Sequence, residues 1–214
     1  MAIATEEISI INEALNLLGV KRTTAAKVAS PSAAGYDAVA EIAAESYEKH
    51  RDALLRDHPW NFAVQRKILT VNVTAPPFGY SYAFDLPAGT DPLLCLRVLE
   101  INNEQVYVWD LGGWSEVRKT KNWTIEGRQI LCNVADDLEI RYVGRVTTLA
   151  TMDVLFQDAL ALKLAAAWAA TLSTKNATEF AAPLAAMLNE SRSVDGQEDV
   201  LTQLYTSEWD AARY

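Results

Sequence analysis

The chain has 214 residues, half of them apolar, and sets 19 basic against 28 acidic side chains for a net charge of −9. A chain of this length buries about 70% of its unfolded surface, so it needs no disulfide framework, and its apolar content excludes disorder as the default state. The acidic balance excludes a protein whose main task is gripping nucleic-acid phosphates, but not one that lets DNA pass without adhesion.

The first helix is predicted from Ile8, Ile11, Leu15 and Leu18, which recur at intervals of three and four. Thr5 can cap it, Glu6 and Glu7 suit the positive end of its dipole, and Gly19 can stop it. Ser30-Pro31 reads as a second start, with serine as cap and proline at the first helical position. From there Tyr36, Val39, Ala43, Tyr47, His50 and Leu54 mark one face of a helix about seven turns long. Pro59 must end it near Asp57, because the residue before a proline avoids helical angles. Phe62 to Leu69 then reads as extended chain.

The switch at His58-Pro59-Trp60-Asn61 reads as a joint. Pro59 stops the helix, Trp60 and Phe62 fill the corner where helical and β parts meet, and Arg66 can tie the strand back to a helical carboxylate.

Tyr80, Tyr82, Phe84 and Leu86 alternate with smaller or polar residues, the period of a strand. The short β-rich pieces LLCLRVLEI, QVYVW, NWTI, QILC and DLEIRYV follow. Between them lie turn signals at Pro87-Ala88-Gly89, Asn102-Asn103, Gly112-Gly113, Glu126-Gly127 and Ala135-Asp136-Asp137. Such spacing predicts a compact antiparallel sheet, sandwich or small barrel. Helix returns after Thr147-Thr148, with a stripe of Val154, Leu155, Ala159, Leu162, Ala166 and Ala169. Another helical stretch runs to about Ser191, with Pro183 either in the first turn of a helix starting near Ala181 or at a kink.

The predicted class is therefore α+β: residues 1–60 and 147–193 form an antiparallel helical bundle, and 61–146 form an inserted antiparallel β domain. Residues 194–214 make a C-terminal tail or arm.

Candidates for chemistry are few. His50 and His58 lack the Cys or carboxylate spacing of a metal site, and Cys95 and Cys132 sit in apolar runs that predict buried, reduced thiols. No Gly-x-Ser-x-Gly elbow and no phosphate-binding glycine loop occurs. The Asp136-Asp137 pair reads as a solvated turn. No catalytic, cofactor-binding or metal-binding residue is assigned. The N-terminal MAIATEEI lacks the pattern of a signal peptide, and Leu160 to Leu172, interrupted by Lys163, reads as a packed helix, so a soluble protein made in the cytoplasm with no membrane partner is expected.

An ordered set of local patterns carries a resemblance. INEALNLLGV comes first, followed by YDAVAEIAAESYEKHRDALLRDHPWNFA with Arg66 four residues after Phe62. Next are Phe84-Asp85-Leu86-Pro87 leading into Leu96-Arg97-Val98-Leu99-Glu100-Ile101, and finally FQDALALKLAAAWAATLS. Over about Ile8 to Ala186 the chain resembles the tail tubular protein A family of short-tailed bacteriophages, the head-to-tail adaptors beneath the portal. The resemblance implies a virion structural protein, synthesised in the host cytoplasm. It would form a ring of twelve subunits between portal protein and tail nozzle protein, at the head–tail junction. The helical ends would surround a channel through which double-stranded DNA passes without specific binding, and the β insert would project outward. It implies no enzyme activity and no cofactor.

An acidic conduit repels phosphates and keeps the genome from stalling. In the tail, Leu201, Leu204, Tyr205, Trp209 and Tyr214 are candidate contacts to the portal or a neighbouring subunit, with packing on the chain's own helices as the alternative. A competing class is a tail-associated cell-wall glycan hydrolase or glycan-binding protein stacking sugars on Trp109, Trp114 and Trp123. A third is a head-completion connector of a long-tailed phage or gene-transfer particle.

Overall fold

A computed structural model describes residues 7–30, 37–88, 94–102, 104–105, 107–110, 113–116, 123–173 and 175–198, with backbone only between 104 and 116. Thr5 and the five apolar residues of the tail lie outside these. Helix α1 (Ile8–Leu18) buries Ile10, Ile11, Ala14, Leu15 and Leu18. Gly19 closes it with a left-handed φ of 73°, letting the Gly19 N–H donate to Asn16 O and the Val20 N–H to Leu15 O. Further along the chain, Ser173 Oγ and Lys175 Nζ donate to the carbonyls of Leu18 and Leu17, satisfying acceptors that the helix itself leaves open.

The long second helix does not start at Ser30-Pro31; Pro31 and Tyr36 lie outside the described residues. A short α2 (Ala25–Ala29) ends at Ser30, and α3 spans Ala38–Asp57. Asp37 caps α3 by accepting the Ala40 N–H at 3.2 Å and also takes Lys27 of α2 at 3.1 Å. A carboxylate that satisfies both a helix start and a neighbouring lysine makes the stronger cap, so the start lies at Asp37. The end at Asp57 is where Pro59 requires it.

A single 3₁₀ turn, Asn61–Ala63, leads into β1 (Val64–Leu69). The other strands are β2 (Tyr82–Asp85), β3 (Cys95–Ile101), β4 (Glu104–Gln105), β5 (Tyr107–Asp110), β6 (Gly113–Glu116), β7 (Trp123–Glu126), β8 (Gln129–Cys132) and β9 (Leu138–Gly144). Among the described residues they form three antiparallel sheets rather than one barrel, with orders β1-β9-β3-β4, β2-β8-β7 and β5-β6. Gly113, read from sequence as part of a turn, instead begins β6 and pairs with Asp110. Glycine flanked by a β-hairpin turn satisfies both roles, and local composition does not separate them. The β7–β8 hairpin turns on Gly127 and Arg128, both at positive φ, the geometry of a two-residue turn matched to strand twist.

The two larger sheets face each other across a core of Leu69, Val98, Ile101, Leu138, Ile140 and Tyr142 on one side and Phe84, Trp123, Ile130 and Cys132 on the other. Cys95 and Cys132 are free and buried there, and burial pushes the Cys95 thiol up to about 11.

Helix α4 (Val154–Leu172) starts on Asp153, whose carboxylate accepts the Leu155 N–H at 2.8 Å. It is long and apolar enough to cross a membrane, yet Phe156, Ala159, Leu160, Ala161, Leu164, Ala165, Trp168 and Ala169 are buried in the protein's own core. The last helix, α5, spans Thr178–Glu198: it starts before Ala181, has Pro183 inside it and continues past the predicted end near Ser191, so residues 194–198, read from sequence as tail, belong to this helix. Asn176 and Glu179 exchange hydrogen bonds at its start, and Pro183, beyond the first turn, has no N–H to donate to the Glu179 carbonyl. One core joins α1, α3, α4 and Phe180 of α5, and Trp168 Nε1 donates to Ser46 Oγ at 2.8 Å to link α4 with α3. The alanines of α4 let its neighbours approach closely. The architecture is thus α+β, with helices from both ends of the chain on a shared core.

Glu13 of α1 looks toward Asp158 of α4, and burial followed by that like charge raises its carboxyl above the ordinary value. The protonated form is the one the folded state favours. Its contribution is therefore complete at acid pH and is lost as pH rises through the raised value. Glu13→Gln is expected to raise the melting temperature at pH 7, and the gain should vanish when both proteins are melted below the carboxylate range. A gain that stayed constant with pH would show that ionisation is not its cause.

Candidate functional site: the joint between helices and sheets

Before Pro59, His58 adopts φ −130° and ψ 145°, an extended pair that ends α3. Trp60 turns back over the helix end and is 1% exposed. Its Nε1 donates to Leu54 O at 3.1 Å, filling one of the four carbonyls that the last turn leaves open. Around it the rings pile up. His58 stands edge-on at 4.8 Å, Phe156 of α4 edge-on at 5.2 Å, and Phe62 lies 5.1 Å from Phe156. Such pairs add about 0.5–1.5 kcal/mol each beyond the area they bury.

Asp195 of α5 completes the joint. Its Oδ1 accepts the Asn61 N–H at 2.9 Å, its Oδ2 pairs with His58 Nε2 at 2.9 Å, and its carbonyl accepts Asn61 Nδ2 at 2.7 Å. Arg192, almost one turn earlier, pairs with Asp57. Four elements meet here: the end of α3, the start of β1, the start of α4 and the last turns of α5.

A second polar cluster lies deeper. Arg51 is 1% exposed on the buried face of α3, over the Tyr47 ring at 5.7 Å. Its Nη1 donates to Glu7 Oε1 at 2.6 Å, while Nε and Nη2 donate to Asp52 Oδ1 at 3.2 and 3.1 Å. Asp52 also accepts from Arg145, just past β9. Burial works against the guanidinium charge, but Asp52 and Glu7 outweigh it and hold its pKa above the ordinary value. Burial likewise raises the Tyr47 hydroxyl, which has no hydrogen-bond partner.

Pro59 follows the end of α3, and Trp60 and Phe62 pack on Phe156 of α4. Arg66 does not reach the joint. It is exposed on β1 opposite Arg141, and Arg145 makes the strand-to-helix tie to Asp52 instead. Sequence reasoning missed Asp195 and Arg51. Only Arg51 left a signal: it sits four residues after Tyr47 and three before Leu54, a charge on an apolar stripe. Among the described residues no group of three or more His, Cys, Asp or Glu is arranged to hold a metal. Of the tryptophans weighed for sugar stacking, Trp123 is buried in the inter-sheet core, and Trp109 and Trp114 are directly opposed in the β5–β6 register. His50 is half-buried, its pKa lowered by burial and then by Lys163 and Lys49.

Replacing Asp195 by Ala leaves the Asn61 N–H and His58 without their acceptor and is expected to cost about 1–3 kcal/mol in chemical denaturation. Glu7→Gln, which strips Arg51 of a buried counter-charge, is expected to cost about 3–5 kcal/mol. Equal, negligible losses would mean that neither cluster holds the joint.

No family model matches this chain, and no characterised protein matches it.

Proposed function

We propose that the chain is a virion structural protein that assembles with copies of itself into the ring-shaped head-to-tail adaptor of a bacteriophage, joining portal to tail nozzle. In this reading α1, α3, α4 and α5 form an antiparallel bundle around the channel, residues 61–146 are the inserted lobe, and the joint at Pro59–Asp195 keeps the two in fixed register. DNA passes without specific binding.

The observation that carries the proposal is where the protein leaves its apolar side chains uncovered. Among the described residues, Val71, Val73 and Phe78, three of the seven exposed large hydrophobic residues, fall within the β1–β2 connection, with Phe78 at 85% exposure. A monomer gains nothing from this, whereas an assembly surface does. The Asn72 and Gln129 side chains both donate to Asp85 and hold its carboxyl below the usual range, bracing the loop's base. The element order and the shared helical core also fit the plan that the resemblance implies. For the glycan reading, buried Trp123 offers no stacking face.

Electron microscopy of the purified chain mixed with its portal is expected to show a ring of copies seated on the portal. Phe78→Ser should abolish the ring while leaving the melting temperature within a degree or so, because the side chain packs on nothing in the free subunit. Solitary chains in the presence of portal, or a strongly basic channel lining, would overturn the proposal.

A further inference from the structure

One face of the four-stranded sheet is covered twice over in different ways along its length. At the end next to the joint, buried Val143 and half-buried Leu96 and Leu99 pack on the helical core. Farther along β1 and β9 the same face opens. Arg66 and Arg141 stand opposite each other in register, and Ile68 stands opposite Glu139. Glu100 of β3 accepts from Arg141 Nη1 at 2.9 Å, while Arg141 Nε has no partner. These residues line an open hollow of about 300 Å³. Ile68 is 59% exposed within it, two residues along β1 from Arg66 and across from Glu139.

We propose that this strip of sheet is the seat of the chain's own residues 199–214. Three facts select that occupant. Asp195 is bonded to Asn61, so α5 delivers the chain beside the start of β1, just before residue 199. From Val64 to Ile68 the strand covers about 13 Å at roughly 3.3 Å per residue, and sixteen extended residues reach up to about 50 Å, so the seat is well within range. The segment also matches it chemically. Asp199, Glu208 and Asp210 carry the charge opposite to the exposed Arg66, and Leu201, Leu204 and Trp209 supply apolar side chains for Ile68. Glu139 is left to face Arg213. Seating in cis would keep the segment's apolar residues covered in the free subunit, and it does not depend on the ring reading.

The test uses the full chain with nitroxide labels on Thr70→Cys, exposed beside the seat, and Ser207→Cys. The native Cys95 and Cys132 are buried and free. Pulsed electron–electron resonance is expected to give a single short separation that persists when the labelled chain is diluted into excess unlabelled chain. Ile68→Asp or Arg66→Glu, both at exposed positions, should abolish that peak with the melting temperature unchanged. A broad distribution in the unmutated chain overturns the proposal. So does a short peak that disappears on dilution, which would make a second copy the donor, and so does a peak indifferent to both substitutions.

Discussion

A guanidinium placed where water cannot reach it must have its charge answered on the spot, and Arg51 has two carboxylates to do so. Glu7 comes from the residue before α1, and Asp52, the neighbour of Arg51 on α3, holds Arg145 beyond β9. The first helix, the third helix and the exit from the sheet are thereby tied at one point. Apolar faces alone can slide by a turn at modest loss, since Leu, Ile and Ala are tolerant neighbours. A buried ion pair cannot slide, because a shift of one turn leaves a bare charge in the core. We read its role as fixing register among elements that the hydrophobic effect only gathers.

Around that point the helices and strands are joined by a corner built on Trp60 and Asp195. Trp60 serves as both wedge and cap, its ring against Phe156 and its N–H on the last turn of α3. Asp195 fastens α5 to the turn that begins β1. The β1–β2 connection holds Val73 and Phe78 out in solvent, and the placement of that loop follows from the sheet, whose placement follows from the corner. Sequence, local stop signal, aromatic packing and presented surface form one chain of cause.

Much of the secondary structure was readable beforehand because its signals are local. A helix ends where Pro59 disfavours helical angles at His58, the residue before it, and Gly19 closes a helix because only its backbone enters the left-handed region without strain. The apolar periodicity of α1 and the alternation into β2 are likewise visible within two turns or one strand, whereas the stripe read for α4 is displaced: Val154 is exposed, and Phe156, Leu160, Leu164 and Trp168 carry the buried face. Local signals also misled where two were in competition. Ser30-Pro31 offered a plausible helix start, but Asp37 provides the cap, and a glycine pair read as a turn also supplies the first residue of β6.

Other features have no local trace. Glu7 and Arg51 are separated by 44 residues and Asn61 and Asp195 by 134, and each looks in isolation like an ordinary solvated charge or turn residue. Arg66 and Arg145 are equally plausible partners for a helical carboxylate when read as letters; β1 and β9 run antiparallel, and the chain's exit past β9 brings Arg145 to Asp52 while Arg66 stands in the open. Caps, stops and periods are short-range because they arise from dihedral sterics and from side chains within reach of their own backbone. Ion pairs and corners arise when distant segments are brought together, and their members can be recognised only once the fold has put them within about 3 Å of each other.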